Sequence, residues 1–400
     1  MSTQAPAIGI VAPAKRRLAL IGIALAIAFA IVLAGALLSA TWLFDGYGRP
    51  IANDFVDVWA AGHLALDGNA AGAYDWTLHK AAEVEAVGHP FDNYYGWHYP
   101  PTFFFVAATL AMLPYIPAAL IWLGVTLAGY VAAVWRILDS RVGIAVALGS
   151  PAALWNATAG QNGYLSAALI GGTLCLMERQ PVLAGVCLGL LSYKPHLGLL
   201  FPIALIASAR WRVFMTAAAV TVAMAALSLI VFGSESWQAF FEWIPTTSHV
   251  VFGQGAAEFN RLQSVFGTVR ALGGGETLAW SVQVAIASAS AVAIAWMWHS
   301  RTAFEIKAAG LSCAALIATP YLYIYDFVIL AIPAAFLLKL ALRRGFMASE
   351  VIGLLAAVAL LLSYPYVKTQ VGLAAAVIVA ALIIQRLVLS ERPAPSLTPA

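Results

Sequence analysis

Charge is scarce in this chain. Its 21 Lys and Arg and 18 Asp and Glu make up only 10% of 400 residues. A soluble domain carries about 25%, so an ordinary solvated surface cannot be built here. The net charge of +3 says little about partners, and no basic cluster interleaved with aromatics marks a nucleic-acid interface. Cysteine is scarce too. Cys175, Cys187 and Cys313 lie in apolar segments without CxxC spacing, which excludes a zinc or disulfide framework and leaves small core residues. HExxH, GxSxG and acid-rich metal clusters are absent, so metal and serine chemistry have no motif and no cofactor is expected. "GGGE" at Gly273–Glu276 lacks the Lys-Ser/Thr of a phosphate loop, and "NAT" at Asn156 adjoins apolar spans and is discounted as a glycosylation acceptor.

What the chain has is hydrocarbon, 62% of its residues. Apolar runs of about 18 or more residues predict membrane helices, and the short alternating segments of a β-barrel are missing. The expected fold is an all-α polytopic membrane protein of about a dozen transmembrane helices. Residues 18–390 form one integral-membrane domain between a cytoplasmic tail, 1–17, and a flexible tail, 391–400. Residues 1–14 are expected to be disordered. Lys15, Arg16 and Arg17 precede the first apolar run and should stay cytoplasmic. That run exceeds the roughly 7–15 residues of a signal-peptide core, so it is expected to stay as an uncleaved helix.

Two polar outer loops are predicted, 46–100 and 233–277. The first is acidic and poor in Lys and Arg, as an outside loop should be. Within it, Asp54–Leu66 reads as a helix with Phe55, Trp59, Gly62 and Leu66 on one face. Trp76–Val87 reads as another, with Asp75 as N-cap and Gly88 as stop. Both are expected to be amphipathic and to lie on the membrane surface. Further spans fall near 213–232, 278–298, 304–319, 327–342, 349–364 and 368–388. Two courses fit 101–212. In one, spans alternate plainly and 181–208 is a single helix. In the other, 101–113 dips and returns at "LPYIP", and 181–208 is a hairpin turning at Lys194-Pro195. The second keeps Arg136, Arg141 and Arg179 inside and is preferred.

Polar residues at the edge of so apolar a chain are costly unless solvated or paired. The candidates gather on the predicted outer face: Asp54 and Asp57, His98-Tyr99, Gln161-Asn162, Lys194 to His196, Arg261, Arg270 and Asp326. Asp54 and Asp57, at i and i+3, share a helix face. A carboxylate there can act as general base; a helix cap plus a solvated acid is the plain alternative. Pro100 and Pro101 force an extended entry and can start a helix. Lys194 lies in a run otherwise free of charge, where an ammonium wants an anion such as a lipid phosphate; snorkelling is its alternative. Arg261 and Arg270 can meet a phosphate or remain solvated. Asp326, between aromatics, can bind a sugar hydroxyl, pair with a base or reach water.

The order of these motifs is more telling than any one of them. After the Asp-Phe pair and "LALDG" come "HYPPTFFFVAATLAMLPY", "GQNGYLSAALIGG", "SYKPHLGLLFPIALIASARWR", "LQSVFGTVRALG" and "TPYLYIYDFVILAIP". From Asp54 to Pro333 this resembles glycosyltransferase family 87, the bacterial group that includes mannosyltransferases of phosphatidylinositol mannosides. The resemblance implies a GT-C-like fold. It implies an inverting, metal-independent transfer of a hexose, mannose first, from a polyprenyl-phosphate carrier to a lipid or glycan acceptor. The carrier is a substrate, not a cofactor. The expected setting is the outer face of a bacterial inner membrane, among membrane lipids and without nucleic acid. Asp54 matches the catalytic base. Lys194, Arg261 and Arg270 are candidates for the donor phosphate, and Asp57, His98, Tyr99, Gln161 and Asp326 for supporting or acceptor-binding roles. One departure stands out: many relatives carry a histidine in "SPxxWxH", where this chain has Tyr325-Asp326. A secondary transporter or lipid flippase is the alternative, but its binding groups would lie near the midplane on broken helices.

Overall fold

A computed structural model describes residues 8–253, 258–367 and 369–391. The segments 1–7 and 392–400, part of the expected N-terminal tail and nearly all of the C-terminal one, lie outside the described residues. Helix α1 spans Ile8–Leu38, so residues 8–14, expected to be disordered, are helical. That run is mostly apolar and its one strong breaker, Pro13, sits near the start, where few helical bonds are lost.

The segment between α1 and residue 100, expected as the first outer loop, holds α2 (Phe55–Leu66) and α3 (Trp76–Val87). Asp75 caps α3 by accepting from the Thr77 and Leu78 amides, both at 2.9 Å. Gly88 ends it at φ +76°, a left-handed turn that glycine adopts without strain. Helix α2 does not lie on a surface as expected: Phe55 through Gly62 are all buried. It packs on α4 (Phe104–Ala111), and a Cβ on Gly62 would stand 2.1 Å from the Ala107 carbonyl oxygen. The glycine is what lets the two backbones touch. Gly62→Val should therefore cost about 1–3 kcal/mol by overpacking, read as a lower midpoint in thermal unfolding of the solubilised protein.

Helix α5 (Tyr115–Leu138) is followed by α6 (Val142–Leu148) and α7 (Pro151–Ala159), bent by 54° at their break. Then come α8 (Gly163–Leu176), α9 (Pro181–Leu190), α10 (Pro195–Gly198) and α11 (Phe201–Ala207). Helix α12 (Trp211–Ser248) breaks direction at Gly233, φ +79°. Most of the expected loop 233–277 is helical: the later part of α12, a wide turn over His249–Gly253 and α13 (Val265–Ala271). The chain ends with α14 (Glu276–His299), α15 (Phe304–Ala318), a 3-10 segment at Ile324–Leu330, α16 (Ala331–Arg344), α17 (Ala348–Ser363) and α18 (Val371–Glu391).

Among the described residues six helices are long and apolar enough to cross a membrane, or seven if α6 and α7 form one bent span. This falls short of the expected dozen. Glycine and proline cut several apolar runs into pieces of 10–17 residues, among them α8, the 181–193 and 195–207 segments and α17.

The stretch 181–207 is a hairpin. Gly185 faces Val213 and Thr216, and Gly189 faces Ala217 and Val220, so α9 and α12 run parallel. Arg210, just beyond α11, reaches back to Glu178, just before α9, at 3.3 Å. The chain thus leaves and returns at one end, turning at Lys194-Pro195. Residues 100–114 also return to where they start, with Tyr99 bonded to Gln161 and Tyr115 to Asn53.

Ion pairs mark both ends of the bundle. Arg210 lies beside Trp298 and Phe304, Arg343 pairs with Glu305 at 2.9 Å, and Arg386 bonds Glu350 and the Gly345 carbonyl. Asp54, Gln161, Lys194 and Asp326 gather at the opposite end.

Candidate active site

Four segments meet at that end: the start of α2, the turn between α7 and α8, the tip of the 181–207 hairpin, and the 321–330 stretch before α16, whose Ile324–Leu330 part is the 3-10 segment. Their contact rests on glycine. A Cβ on Gly163 would stand 2.3 Å from the Tyr325 carbonyl oxygen, and one on Gly160 would meet the Asn53 side chain at 2.8 Å.

Asp54 stands at the N-terminus of α2, yet its carboxylate makes no cap bond. Asn53 does that work, its Oδ1 accepting from the Phe55 amide at 3.0 Å. Tyr115 holds Asn53 in turn, donating to Oδ1 at 3.2 Å. The Asp54 carboxylate instead accepts from the Gln161 amide, Nε2 to Oδ2, at 3.2 Å. The orientation of that amide is fixed from behind. Tyr99 Oη and the Asn162 amide both donate to Gln161 Oε1, at 3.4 and 3.2 Å. Asn162 Nδ2 donates to Tyr99 Oη at 2.6 Å. With Oε1 so occupied, Nε2 is left to face Asp54.

Burial pushes the Asp54 carboxyl up to about 6, opposed by the Gln161 bond and by the Arg261 and Lys194 charges. A group ionising there is a base at neutral pH and still holds a proton usefully. Asp57 is more deeply placed, at 5% exposure, with Oδ1 unpartnered. Burial, with the Asp54 and Glu83 charges, raises its carboxyl well above the usual range. Of the two acids, Asp57 is held the more strongly towards its neutral form.

Lys194 and Asp326 are both buried and form an ion pair, Nζ to Oδ1, at 2.7 Å. Asp326 Oδ2 also accepts from the Tyr323 amide at 3.0 Å. The ammonium expected to await an anion already has one, although one bond to Asp326 leaves two of its three donors. Arg261 is exposed, and its charge reaches Asp54.

Two candidates fall elsewhere. Arg270 donates to the Gly274 and Gly253 carbonyls at 3.2 and 3.1 Å and covers the Phe259 ring, so it braces its own loop. His98 bonds Thr247 and Trp243 at 3.1 and 3.3 Å, on the α12 side, and burial pulls its ring down to about 4. Tyr321 and Tyr323, whose rings continue the row from Tyr325, carry no candidate role in the sequence reading; their alternate spacing was the available signal. Among the described residues no group of three or more His, Cys, Asp or Glu is placed to hold a metal.

A multi-pass membrane protein with a half-buried, amide-oriented carboxylate beside fixed positive charge has the parts of a membrane transferase. The family model of glycosyltransferase family 87 matches residues 97–320, more than half of the chain, which belongs to that family. Tyr99, Gln161, Lys194 and Arg261 lie inside the matched range, whereas Asp54, Asp57 and Asp326 lie outside it. The all-helical architecture is consistent with the GT-C superfamily. No curated protein and no solved structure matches the chain.

Proposed function

We propose that the protein transfers a hexose, mannose first, from a polyprenyl-phosphate carrier to a lipid or glycan acceptor, with inversion at the anomeric carbon. The observation that carries this is Asp54, a carboxylate relieved of capping, half-buried, oriented by Gln161 and within reach of Arg261 and Lys194 charge. As the acceptor oxygen attacks the anomeric carbon, Asp54 takes its proton. The bond from that carbon to the phosphate oxygen breaks, and the departing phosphate is met by Arg261 and the free donors of Lys194. Direct displacement needs one base and no carboxylate nucleophile, unlike a retaining glycosidase.

The gathering of Arg210, Arg343 and Arg386 at the far end supports a cytoplasmic placement for that end. The site then faces the outside of a bacterial inner membrane. The test is reconstitution in proteoliposomes with radiolabelled polyprenyl-phosphate mannose or glucose and extracted envelope lipids. A labelled glycolipid supports the proposal, and label appearing only as translocated donor overturns it.

Gln161 supplies a check on the base. Its bond favours the ionised form of Asp54, so Gln161→Leu should move the rising limb of the pH–rate profile from about pH 6 to higher pH. An unmoved limb would show that some other group titrates.

A further inference from the structure

One part of this end is unused by the chemistry above. The stretch Tyr321-Leu322-Tyr323-Ile324-Tyr325-Asp326 alternates strictly: Leu322, Ile324 and Asp326 are buried, and the three tyrosines are half-buried. The Tyr321 and Tyr323 rings lie 5.3 Å apart, edge to face, and those of Tyr323 and Tyr325 lie 5.6 Å apart, stacked. The row is held from behind. Leu322 O accepts from the Gln263 amide at 2.8 Å, and Gln263 Oε1 accepts from the Gly372 amide at 2.8 Å. Asp326 Oδ2 ties down the Tyr323 amide.

Its two ends differ. Tyr325 abuts the Gly163 turn that carries Gln161, and Lys194 Nζ stands 5.6 Å from its ring. Tyr321 lies against Phe252, with His196 edge-on at 6.1 Å. His196 Nε2 is buried without a partner. An aromatic belt does not account for this. Belt tyrosines spread around the outside of a bundle at headgroup level, whereas these stack on one another against a buried ion pair.

We infer that Tyr321, Tyr323 and Tyr325, with His196, form a binding rail for a neutral oligosaccharide, the sugars of the acceptor beyond the one that receives the hexose. Aromatic rings offer faces and edges to the C–H surfaces of pyranoses, and phenol and imidazole groups offer hydrogen bonds to their hydroxyls. The three tyrosines carry no charge themselves, and Lys194 and Asp326 behind them are paired with each other at 2.7 Å, so the row suits neutral sugars. Its steps of 5.3 and 5.6 Å are comparable to the repeat of linked pyranose rings. Because the rail starts at the Gly163 turn beside Gln161 and ends against Phe252, it takes the acceptor from its second sugar outward.

The inference rests on the transferase proposal for its meaning but is tested by binding alone. Protein in lipid nanodiscs is titrated with methyl mannoside, mannobiose and mannotriose, followed by saturation-transfer NMR. Affinity is expected to rise with length. Tyr321→Phe and Tyr323→Phe keep the rings and the fold, and each should weaken mannotriose by roughly fivefold, the worth of one hydrogen bond, while leaving methyl mannoside unchanged. Unaltered mannotriose binding in both variants, or equal losses for the mono- and trisaccharide, overturns the rail. Length-dependent binding that the variants weaken upholds the rail even where no transfer is detected, in which case it is the transferase proposal that fails.

Discussion

Asp54→Asn should abolish transfer while leaving the protein as stable as the parent. A general base contributes about 10²–10⁴ in rate, and asparagine cannot take the acceptor proton. The fold should not register the change, because α2 is capped by Asn53 and the Asp54 carboxylate bears no backbone bond. Transfer assays and thermal unfolding on the same preparations read the two halves separately. Equal loss in both would make Asp54 structural; full activity would remove it as the base. In the parent enzyme the rate should rise with pH through about 6, where Asp54 ionises. At pH 5 about a tenth of the molecules would carry the base in its active form.

Lys194→Met should be the most destabilising single change at this end. It leaves Asp326 buried at 1% exposure with its charge uncompensated, and breaking a buried pair by removing one partner costs about 3–5 kcal/mol. Lys194→Met combined with Asp326→Leu should recover much of that stability, because the stranded charge goes too. Activity should not return, since both the donors proposed to meet the phosphate and the anchor of the Tyr323 amide are gone. Denaturation midpoints for the two single variants and the double variant measure the coupling. Additive losses would mean that the pair is not energetically a pair. Recovery of transfer in the double variant would show that Lys194 serves packing alone.

The parts of this arrangement that local rules govern were legible in the sequence. Helix α3 starts and stops at its expected cap and glycine, because both signals act within one turn. The family could be read from motif order, since that survives ignorance of contacts. What depends on distant pairing was not legible. Lys194 and Asp326 are 132 positions apart, and nothing near either one names the other. Arg261 and Arg270 looked alike in one loop, yet one faces the site and the other binds its own loop carbonyls. Composition also overstated the number of spans. Hydrophobicity reports that a segment avoids water, but not whether Gly149, Ser150 and Pro151 or Lys194 and Pro195 have cut it short.

Splitting the cap from the base has a mechanical consequence. In each turnover a general base gains a proton, loses it and shifts its side chain between partners. Were Asp54 also the cap of α2, every cycle would release and re-form the first turn of the helix that places it. With Asn53 holding that turn and Tyr115 holding Asn53, the helix would be isolated from the proton cycle of the proposed mechanism. The proposed base would then move on a mount that does not.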